Sequence, residues 1–320
     1  MTLVALPGRL YQSVPGFEDH LAAELGSGVS RVGPLFQGGG EAGGVFWYRN
    51  CWQKPLRAEF SSIGEAAGFL RGIQRNWAAC LHTCFRRGAL IKSKLPPISG
   101  RPKPFPWLPP QSPVGAWTLL DENTLVASPV CSSPFPGGVP DFEHDREGPP
   151  SRAYLKLWEA FCQMRRLPAP GERCLDAGAS PGGWSWALAR LGAEVLAVDP
   201  APPAGSVAAM PGVEYRRGDA FTLKPSDIGR IDWLFCDAAC YPAKLYGWIE
   251  KWLESGLCRR FVCTLKMQGQ VGAGTTGGDT GITGVDFDTP KRFAAIPGGR
   301  VVHLYHNRHE LTWLFDGSAG

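Results

Sequence analysis

The second half of the chain alternates apolar runs with amphipathic stretches. The runs RCLDAGA, EVLAVDP, IDWLFCDAA and RFVCTLKM have the length and composition of buried strands. Between and before them, SRAYLKLWEAFCQMRR, WSWALARL and YPAKLYGWIEKWLESG carry apolar residues at the spacing of one helix face. This alternation predicts βαβ units and an α/β fold with a mostly parallel sheet. The last two runs, VVHLYH and ELTWLF, are too close for a crossover helix, so we expect an antiparallel pair.

The first half of the chain has a different pattern, which predicts a smaller α+β domain. FEDHLAAELG reads as a helix, and a second helix is expected from Ser61 to about His82. VSRVGPLF, GVFWYR, and the pair AWTLL and TLVASP read as strands, the last two as a hairpin. Residues 95–113 are rich in proline and form either a linker or a stiff wall. We therefore expect two domains, residues 1–120 and 121–320, with the loop 132–150 as the other candidate boundary.

The composition favours a globular protein and disfavours several other classes. The chain has 320 residues, of which 44% are hydrophobic, so it can bury a core, and disordered or fibrous structures are excluded. No run approaches the roughly 20 apolar residues of a membrane span, and the start lacks the features of a signal peptide. The ten cysteines contain no CxxC pair, so reduced thiols and a cytoplasmic location are expected. His303, His306 and His309 recur every third residue, which does not put them on one strand face, so no metal site is expected.

The formal net charge of +4 conceals an uneven distribution. Residues 49–103 contain eleven Lys and Arg against two Glu. An excess of this size is what a surface that contacts phosphates needs. Five aromatic residues lie within the segment and could stack nucleobases: Trp52, Phe60, Phe69, Trp77 and Phe85. A solvated basic face over ordinary core aromatics explains the same pattern equally well.

A glycine-rich turn follows the first strand of the α/β half. In CLDAGASPGGWSWAL, Gly178, Gly182 and Gly183 stand between a strand and a helix, where ligands of open α/β sheets bind. The spacing is not G-x-G-x-x-G and no G-K-[ST] follows, which disfavours a dehydrogenase and excludes a Walker loop. Acids stand at four strand ends, namely Asp176, Asp199, Asp219 and Asp237. Four such acids favour a ligand with hydroxyls, an amine or a sulfonium, and S-adenosylmethionine fits better than a dinucleotide.

Several of these segments together resemble one enzyme family. SRAYLKL, LDAGASPGGWS, DWLFCDAA, TLKM and HNRHELT are similar to motifs of the FtsJ-like (RrmJ-like) ribose 2′-O-methyltransferases. The longer segment from SSPFPGGVPDF to LKLWEAF and the opening VPGFEDHLAAEL resemble the RlmM-type subfamily, whose members methylate a cytidine ribose of 23S rRNA. The resemblance covers roughly residues 121–315 and implies a Rossmann-like methyltransferase fold. It also implies an N-terminal RNA-binding domain, here a reduced THUMP-like one.

The resemblance implies a catalytic tetrad and a set of cofactor contacts. The tetrad falls on Lys156, Asp237, Lys266 and Glu310. Lys266 is expected to be the base. Burial and the nearby Lys156 would lower its pKa, whereas Asp237 and Glu310 oppose that shift. Asp237 is expected to orient the Lys266 amine, and Lys156 and Glu310 to position the ribose. S-adenosylmethionine is expected to contact Trp184 beside its methionine and, along the turn and strand ends, Asp176, Gly178, Ser180, Pro181, Gly182, Gly183, Asp199, Asp219 and Asp237. Arg308 is expected to contact phosphate, and residues 270–285 to form either a mobile lid or a plain loop.

These expectations combine into one leading function. The chain is expected to transfer a methyl group from S-adenosylmethionine to an RNA ribose, most simply in 23S rRNA, with RNA held by residues 49–103 and by the methyltransferase cleft. The alternatives are a methyltransferase of tRNA or of another substrate class, and a non-catalytic RNA-binding protein. A small-molecule enzyme has little use for the basic segment, and a non-catalytic protein has no need of a complete tetrad.

Overall fold

The computed structural model describes residues 2–38, 44–267, 270–271, 282–283 and 286–318. The chain divides into two compact units. The N-terminal unit comprises Met1–Lys103 and Pro109–Asp141, and the C-terminal unit comprises Pro104–Leu108 and Phe142–Gly320. None of the described helices is both long enough and apolar enough to cross a membrane.

The N-terminal unit contains two antiparallel-rich sheets and three helices. One sheet has the order β1-β6-β9-β8-β7 and the other β3-β4-β2-β5. The elements are β1 (Thr2–Ala5), β2 (Arg9–Ser13), α1 (Glu18–Leu25), β3 (Ser30–Val32), β4 (Leu35–Gly38), β5 (Tyr48–Trp52), β6 (Leu56–Glu59), α2 (Ile63–Ile73), β7 (Trp77–Ala79), α3 (Phe85–Lys92), β8 (Gly115–Leu119) and β9 (Thr124–Ser128). The smaller α+β domain expected from the sequence is therefore present, with one more helix than predicted.

The predicted helix from Ser61 to His82 is too long. α2 begins well, because the Ser62 hydroxyl accepts a hydrogen bond from the backbone N–H of Glu65 at 3.1 Å. It ends at Ile73 because Trp77 starts a strand that pairs in parallel with β8. The Trp77 indole N–H donates to the carbonyl of Leu70 at 2.8 Å and so ties the strand back to the helix. The apolar spacing continued through this region because both elements face the same core.

The expected domain boundary at residue 120 also differs from the structure. The hairpin of β8 and β9 forms as predicted around residues 121–123, but the boundary at 120 would cut through it. β9 pairs along its length with β6, so both hairpin strands belong to the N-terminal sheet. The units meet in sequence at Asp141 and Phe142, within the loop 132–150 that was the other candidate.

The C-terminal unit is a single seven-stranded sheet flanked by helices. Its strand order is β12-β11-β10-β13-β14-β18-β17. The elements are α4 (Ala153–Met164), β10 (Arg173–Ala177), α5 (Gly183–Arg190), β11 (Glu194–Asp199), α6 (Gly205–Ala208), β12 (Val213–Arg217), α7 (Pro225–Ile228), β13 (Ile231–Cys236), α8 (Pro242–Ser255), β14 (Cys258–Lys266), the short pair β15 (Gln270–Val271) and β16 (Ile282–Thr283), α9 (Asp288–Ala295), β17 (Gly299–Val302) and β18 (Glu310–Asp316).

The strand directions confirm the α/β prediction. β10 to β14 are mutually parallel, and β18 runs antiparallel to both β14 and β17. This is the expected Rossmann-like arrangement, a mostly parallel sheet with an antiparallel β18. Because the parallel strands share one direction, their carboxyl ends meet at one edge, where the predicted site residues follow them. We call this the carboxyl edge.

Part of the proline-rich stretch is built into the C-terminal unit. Phe105 packs edge-on against Trp158 of α4 at 5.3 Å between ring centroids, and also lies near Trp186 of α5. The Trp158 indole N–H donates to the carbonyl of Trp107 at 2.8 Å. Residues 104–108 are therefore a wall against α4, the second of the two roles considered for the stretch.

Candidate active site

Four charged side chains from separate elements converge at the carboxyl edge. Asp237 follows β13, Lys266 ends β14, and Glu310 begins β18, directly opposite Lys266 in the antiparallel register. Lys156 reaches the same place from α4. The Lys266 Nζ donates to Asp237 Oδ1 at 2.6 Å and to Glu310 Oε1 at 3.2 Å. The Lys156 Nζ lies 3.2 Å from Asp237 Oδ1 and 3.6 Å from Glu310 Oε1. The four predicted tetrad positions are thus brought together.

The two lysines of this cluster are largely withdrawn from water. The side chain of Lys156 is 9% exposed and that of Lys266 is 18% exposed. Ordinarily a lysine on a helix such as α4 would extend into solvent. Here the two ammonium groups share two carboxylates, which compensates for their lost hydration. Because each carboxylate contacts both lysines, the geometry of the cluster depends on all four members.

The structure decides between the opposing influences on the pKa of Lys266. Burial, the largest single influence, lowers the pKa of the Lys266 amine, as predicted. The charges and hydrogen bonds of Asp237 and Glu310 outweigh it, so the pKa of Lys266 is raised rather than lowered. For Glu310, burial raises the pKa, but Lys156, the Arg308 backbone N–H and Lys266 together hold it below its ordinary value. Both groups are therefore charged at neutral pH in the protein alone.

A buried glutamate that the sequence did not single out fixes the loop before β18. Glu159 lies on α4, three residues after Lys156, and is 2% exposed. Its carboxylate accepts hydrogen bonds from the backbone N–H of Tyr305 at 2.7 Å and of His306 at 3.2 Å. The His306 Nδ1 lies 2.9 Å from the same carboxylate. The only sequence signal for this role is an acid among the apolar residues of a helix.

The glycine-rich turn packs closely against the loop that carries Asp237. Gly178 has φ of 81°, and a Cβ there would lie 2.6 Å from the backbone of Ala238. Gly182 also has a positive φ and precedes α5, while a Cβ on Gly183 would lie 2.4 Å from the Ser151 hydroxyl. The positive φ favours glycine at Gly178 and Gly182, and the nearby backbone of Ala238 adds to this at Gly178, whereas at Gly183 only the Ser151 hydroxyl would have to move. The Asp237 backbone N–H also donates to the carbonyl of Ala177 at 3.3 Å, which joins the two loops.

The four strand-end acids do not share one environment. Asp199 accepts from the backbone N–H of Ser180 at 3.2 Å and so links β11 to the turn before Pro181. Asp219 follows β12, accepts from the Phe221 backbone N–H at 2.9 Å, and has half of its side chain exposed. Both stand at the carboxyl edge as predicted, and Lys244 lies 3.7 Å from Asp219.

Asp176 differs from the expectation of a cofactor contact. It is 1% exposed, and its carboxyl accepts a hydrogen bond from the Ser185 hydroxyl of α5 at 2.6 Å. Burial raises the pKa of this carboxyl to about 7, opposed by the Ser185 hydrogen bond and reinforced by Asp237. Asp176 therefore anchors α5 from below the turn.

Trp184 is likewise a core residue. Its indole N–H donates to the carbonyl of Ala153 at 2.9 Å, which ties α5 to the start of α4. Its ring lies edge-on to Phe235 of β13. The side chain is 3% exposed, so it supports the glycine-rich turn from the core side.

The basic segment keeps its charges at the surface but not its aromatics. Eight of its eleven Lys and Arg are exposed: Lys54, Arg57, Arg71, Arg75, Arg86, Lys92, Lys94 and Arg101. Trp52, Phe60 and Trp77 are buried in the core and Phe69 packs half-buried against it, so for these four the second of the two interpretations left open, ordinary core aromatics, applies. Phe85, at the start of α3, is 62% exposed. A partner binding to this segment would therefore contact mainly Lys and Arg side chains and the Phe85 ring.

Two further expectations concern residues around Glu310. Within the described ranges, no group of three His, Cys, Asp or Glu could hold a metal ion. The His303 Nε2 lies 3.1 Å from the Arg308 carbonyl, and the Arg308 backbone N–H donates to Glu310 Oε2 at 2.9 Å. The Arg308 side chain is exposed. Most of the predicted lid at 270–285 lies outside the described residues.

Part of the chain is similar to one family of known proteins. Residues 149–267 match the FtsJ-like methyltransferase family. Three similar relatives are described as ribosomal RNA large subunit methyltransferase M. The one from Azotobacter vinelandii is 41% identical over 149 residues (44% of this chain, 41% of the relative), that from Alkalilimnicola ehrlichii 35% over 213 (61% and 54%), and that from Thauera aminoaromatica 33% over 192 (57% and 50%). The matched region thus spans about half the length of these relatives.

Among solved structures, similarity is weaker. The Methanococcus jannaschii fibrillarin pre-rRNA processing protein matches with a TM-score of 0.36 and 15% identity, over 47% of this chain and 69% of that one. The cyclopropane-fatty-acyl-phospholipid synthase-like protein of Lactobacillus casei matches with a TM-score of 0.27 and 20% identity, over 36% and 48%. The strand order described above defines the fold without them.

Proposed function

We propose that this protein, whose residues 149–267 match the FtsJ-like methyltransferase family, transfers a methyl group from S-adenosylmethionine to the 2′-hydroxyl of an RNA ribose. The observation that carries the proposal is the cluster of Lys156, Asp237, Lys266 and Glu310. The named relatives act on large-subunit ribosomal RNA, and we propose the same substrate class here. An enzyme with this substrate works in the cytoplasm, which is the location we propose.

The cluster suits the chemistry of a weak nucleophile. A ribose hydroxyl must lose its proton as its oxygen forms a bond to the methyl carbon. When bound, the cofactor supplies that methyl group on a positively charged sulfur, which leaves as a neutral thioether. Lys266 is the proposed proton acceptor, because its amine stands between two carboxylates that fix its direction. Lys156 and Glu310 hold this arrangement and position the ribose.

The raised pKa of Lys266 adds a requirement to this role. The amine must lose a proton before it can accept one, and in the protein alone Asp237 and Glu310 oppose that loss. A bound sulfonium would add a further positive charge at the carboxyl edge, beside those of Lys156 and Lys266, and so favour the neutral amine of Lys266. Rate should therefore rise with pH through the neutral range, since the fraction of neutral amine grows about tenfold for each pH unit below its pKa.

The residues at the carboxyl edge fit the proposed cofactor. Asp219 offers a half-exposed carboxylate and Asp199 stands at the end of the next strand, both suited to hydroxyl or amine groups. The turn containing Ser180, Pro181 and Gly182 leads into the N-terminus of α5, whose backbone N–H groups are donors. We propose that these residues hold the cofactor and that Asp176 and Trp184 keep the turn in place behind them.

RNA binding by the N-terminal unit is the second part of the proposal. Arg71 at the end of α2 donates to the carbonyl of Lys94 at 3.5 Å, which joins the last turn of α2 to the residues after α3. Exposed Lys and Arg side chains lie on or directly after both helices. The exposed Phe85 adds one aromatic ring on which a nucleobase could stack. We name Arg71, Arg75, Arg86, Lys92 and Lys94 the basic face, and propose that it contacts the phosphates of the substrate.

Loss of the Lys266 amine tests the catalytic assignment. Lys266→Ala is expected to lower the rate of methyl transfer by about 10²- to 10⁴-fold, which is the usual contribution of a general base. The measurement is transfer of a labelled methyl group to rRNA in single turnovers, with alkaline-resistance sequencing to identify a 2′-O-methyl mark. Lys251→Ala, an exposed lysine of α8, is the matched control and should retain full activity.

The outcomes separate the parts of the proposal. Full activity of Lys266→Ala would refute the base assignment while leaving the reaction intact. A wild-type protein that transfers methyl groups to tRNA and not to rRNA would refute the substrate class. Absence of transfer to any RNA, with the cofactor bound, would refute the proposed function itself.

A further inference from the structure

Two large side chains at the carboxyl edge stand out by their exposure. Among the described residues of the C-terminal unit, the large hydrophobic side chains with substantial exposure are Tyr241, at 70%, and Tyr305, at 43%. Single exposed aromatics are common on protein surfaces, so exposure alone means little. Their location is the informative part, because both lie in the loops that carry members of the catalytic cluster.

Both tyrosines are within a short chain distance of the cluster. Tyr241 comes four residues after Asp237, and Tyr305 five residues before Glu310. At about 3.8 Å between consecutive Cα atoms, neither backbone lies farther than roughly 15–19 Å from its cluster residue. The loop with Tyr305 leaves β17, which is parallel to β14 because both are antiparallel to β18, so it emerges at the carboxyl edge.

The backbone that presents Tyr305 is held by buried groups. Its N–H donates to Glu159 Oε1 at 2.7 Å, and the neighbouring His306 contacts the same carboxylate. The His306 ring is stacked with Phe142 at 5.8 Å, and Phe142 is stacked on Trp158 at 3.8 Å. The Tyr305 ring meets His306 edge-on, with 5.3 Å between the ring centroids. The loop is thus rigid where it displays the ring.

Tyr241 is presented in a similar way at the start of α8. Its carbonyl accepts hydrogen bonds from the backbone N–H groups of Lys244 at 3.0 Å and Leu245 at 3.2 Å. Pro242 occupies the first position of the helix, where its fixed φ favours a helix start. The main chain at Tyr241 is therefore fixed, while its side chain is largely open to solvent.

We propose that Tyr241 and Tyr305 are stacking platforms for the bases next to the methylated nucleotide. This inference rests on the proposed function and specifies its substrate as single-stranded or locally opened RNA. Aromatic rings beside a ribose site suit unpaired bases, which stack on them without regard to sequence. Bases in a helix are already stacked on each other, so an intact duplex gains nothing from these rings.

The test compares alanine and phenylalanine variants of the two tyrosines. An rRNA fragment with 2-aminopurine next to the target nucleotide reports stacking as fluorescence quenching. Tyr241→Ala and Tyr305→Ala are each expected to raise the dissociation constant for this RNA roughly 5- to 150-fold and to relieve the quenching. Tyr241→Phe and Tyr305→Phe keep the ring and should restore both, and all variants should bind S-adenosylmethionine like the wild type.

The controls distinguish this inference from the proposed function. Leu3→Ala removes a comparably exposed side chain from β1 and should leave RNA binding unchanged. If the wild type methylates the fragment but the alanine variants keep its affinity and quenching, the stacking role is refuted and the proposed function stands. Phenylalanine variants as weak as the alanine variants would also refute it, because a hydroxyl and not a ring would then be at work. Methylation of a duplex as fast as of a single strand would refute the substrate inference.

Discussion

The two units of this protein handle charge in opposite ways. In the described part of the N-terminal unit, the buried polar side chains are all uncharged, and its many Lys and Arg lie at or near the surface. In the C-terminal unit, Lys156, Glu159, Asp176 and Arg260 are all at least nine-tenths buried. Surface charges act collectively and are screened by salt, whereas buried charges depend on individual partners. The contrast matches the proposed division between holding RNA and performing chemistry.

The buried charges have a cost that their partners offset. Arg260 of β14 contacts Glu172 at 3.2 Å and Asp316 at 3.5 Å, and its guanidinium lies 5.2 Å from the Trp233 ring centroid. Trp233 in turn donates its indole N–H to Glu172 at 2.7 Å. Such a network holds strands in register but tolerates little change. The units should therefore differ in how their stability responds to loss of one charge.

The largest expected effect on stability is at Glu159. Glu159→Ala leaves the N–H groups of Tyr305 and His306 without their buried acceptor, and we expect the free energy of unfolding to fall by about 3–5 kcal/mol. Chemical denaturation measures this change. Glu254→Ala, an exposed glutamate of α8, is the matched control and should change it by less than about 0.5 kcal/mol. Equal effects of the two variants would remove the contrast between buried and exposed charges.

The buried carboxyl of Asp176 should make the free energy of unfolding depend on pH. Its pKa is raised to about 7 in the folded protein, so the folded state keeps a proton that the unfolded chain releases near its ordinary pKa of 3.8. The associated stability is complete below about pH 4 and is lost as pH rises toward 7, by up to roughly 4 kcal/mol. Asp176→Asn should lack this loss, so its stability relative to the wild type should increase with pH.

Denaturation curves between pH 4 and 8 measure the Asp176 prediction. Asp288→Asn, at a 93%-exposed carboxyl of α9, is the control and should follow the wild type. Parallel pH dependences for Asp176→Asn and the wild type would mean that the buried carboxyl is charged throughout, stabilised more strongly by Ser185 than the contacts suggest.

The smallest effects on stability are expected on the basic face. Arg71→Gln with Lys92→Gln should change the free energy of unfolding by less than about 0.5 kcal/mol per site. RNA affinity should fall, and its dependence on salt should flatten, by about 0.7 in the log–log slope for each phosphate of a single strand that the variant no longer neutralises. Titrations of RNA at several salt concentrations measure this, with Lys251→Gln as control. An unchanged slope would exclude these two residues from the RNA-binding surface.

The fold of the C-terminal unit was predictable because its signals are local. Buried parallel strands read as apolar runs, and the glycines and acids that follow them lie at strand ends by necessity. The helix α3 was not predicted, because FRRGALIK is short and its preceding Cys84 supplies no capping side chain. The domain boundary at Asp141 was ambiguous for another reason. It depends on β6 pairing with β9, a contact between residues far apart in sequence.

The sequence predicted which residues form the site better than it predicted their pKa values and surroundings. The resemblance named Lys156, Asp237, Lys266 and Glu310, and the structure brings them together. The net direction of the Lys266 pKa shift could not be decided from the sequence, because it depends on distances to two carboxylates that no sequence supplies. Asp176 and Trp184 occupy motif positions yet face the core. A motif shows that a residue type is required at a position, but not whether it contacts a ligand or supports the fold. Glu159 was missed because a buried acid on a helix looks like a surface one.

Residues 104–108 are synthesised before the helix against which they pack. They leave the ribosome well before α4, the helix against which Phe105 and Trp107 pack. The strands β8 and β9 follow them in the sequence, so the N-terminal sheet can be completed before the partners of residues 104–108 have been synthesised. Until α4 has been synthesised, this short apolar segment is exposed to water or bound by a chaperone. Its abundant prolines stiffen it during that interval and leave few N–H groups for unwanted strand pairing.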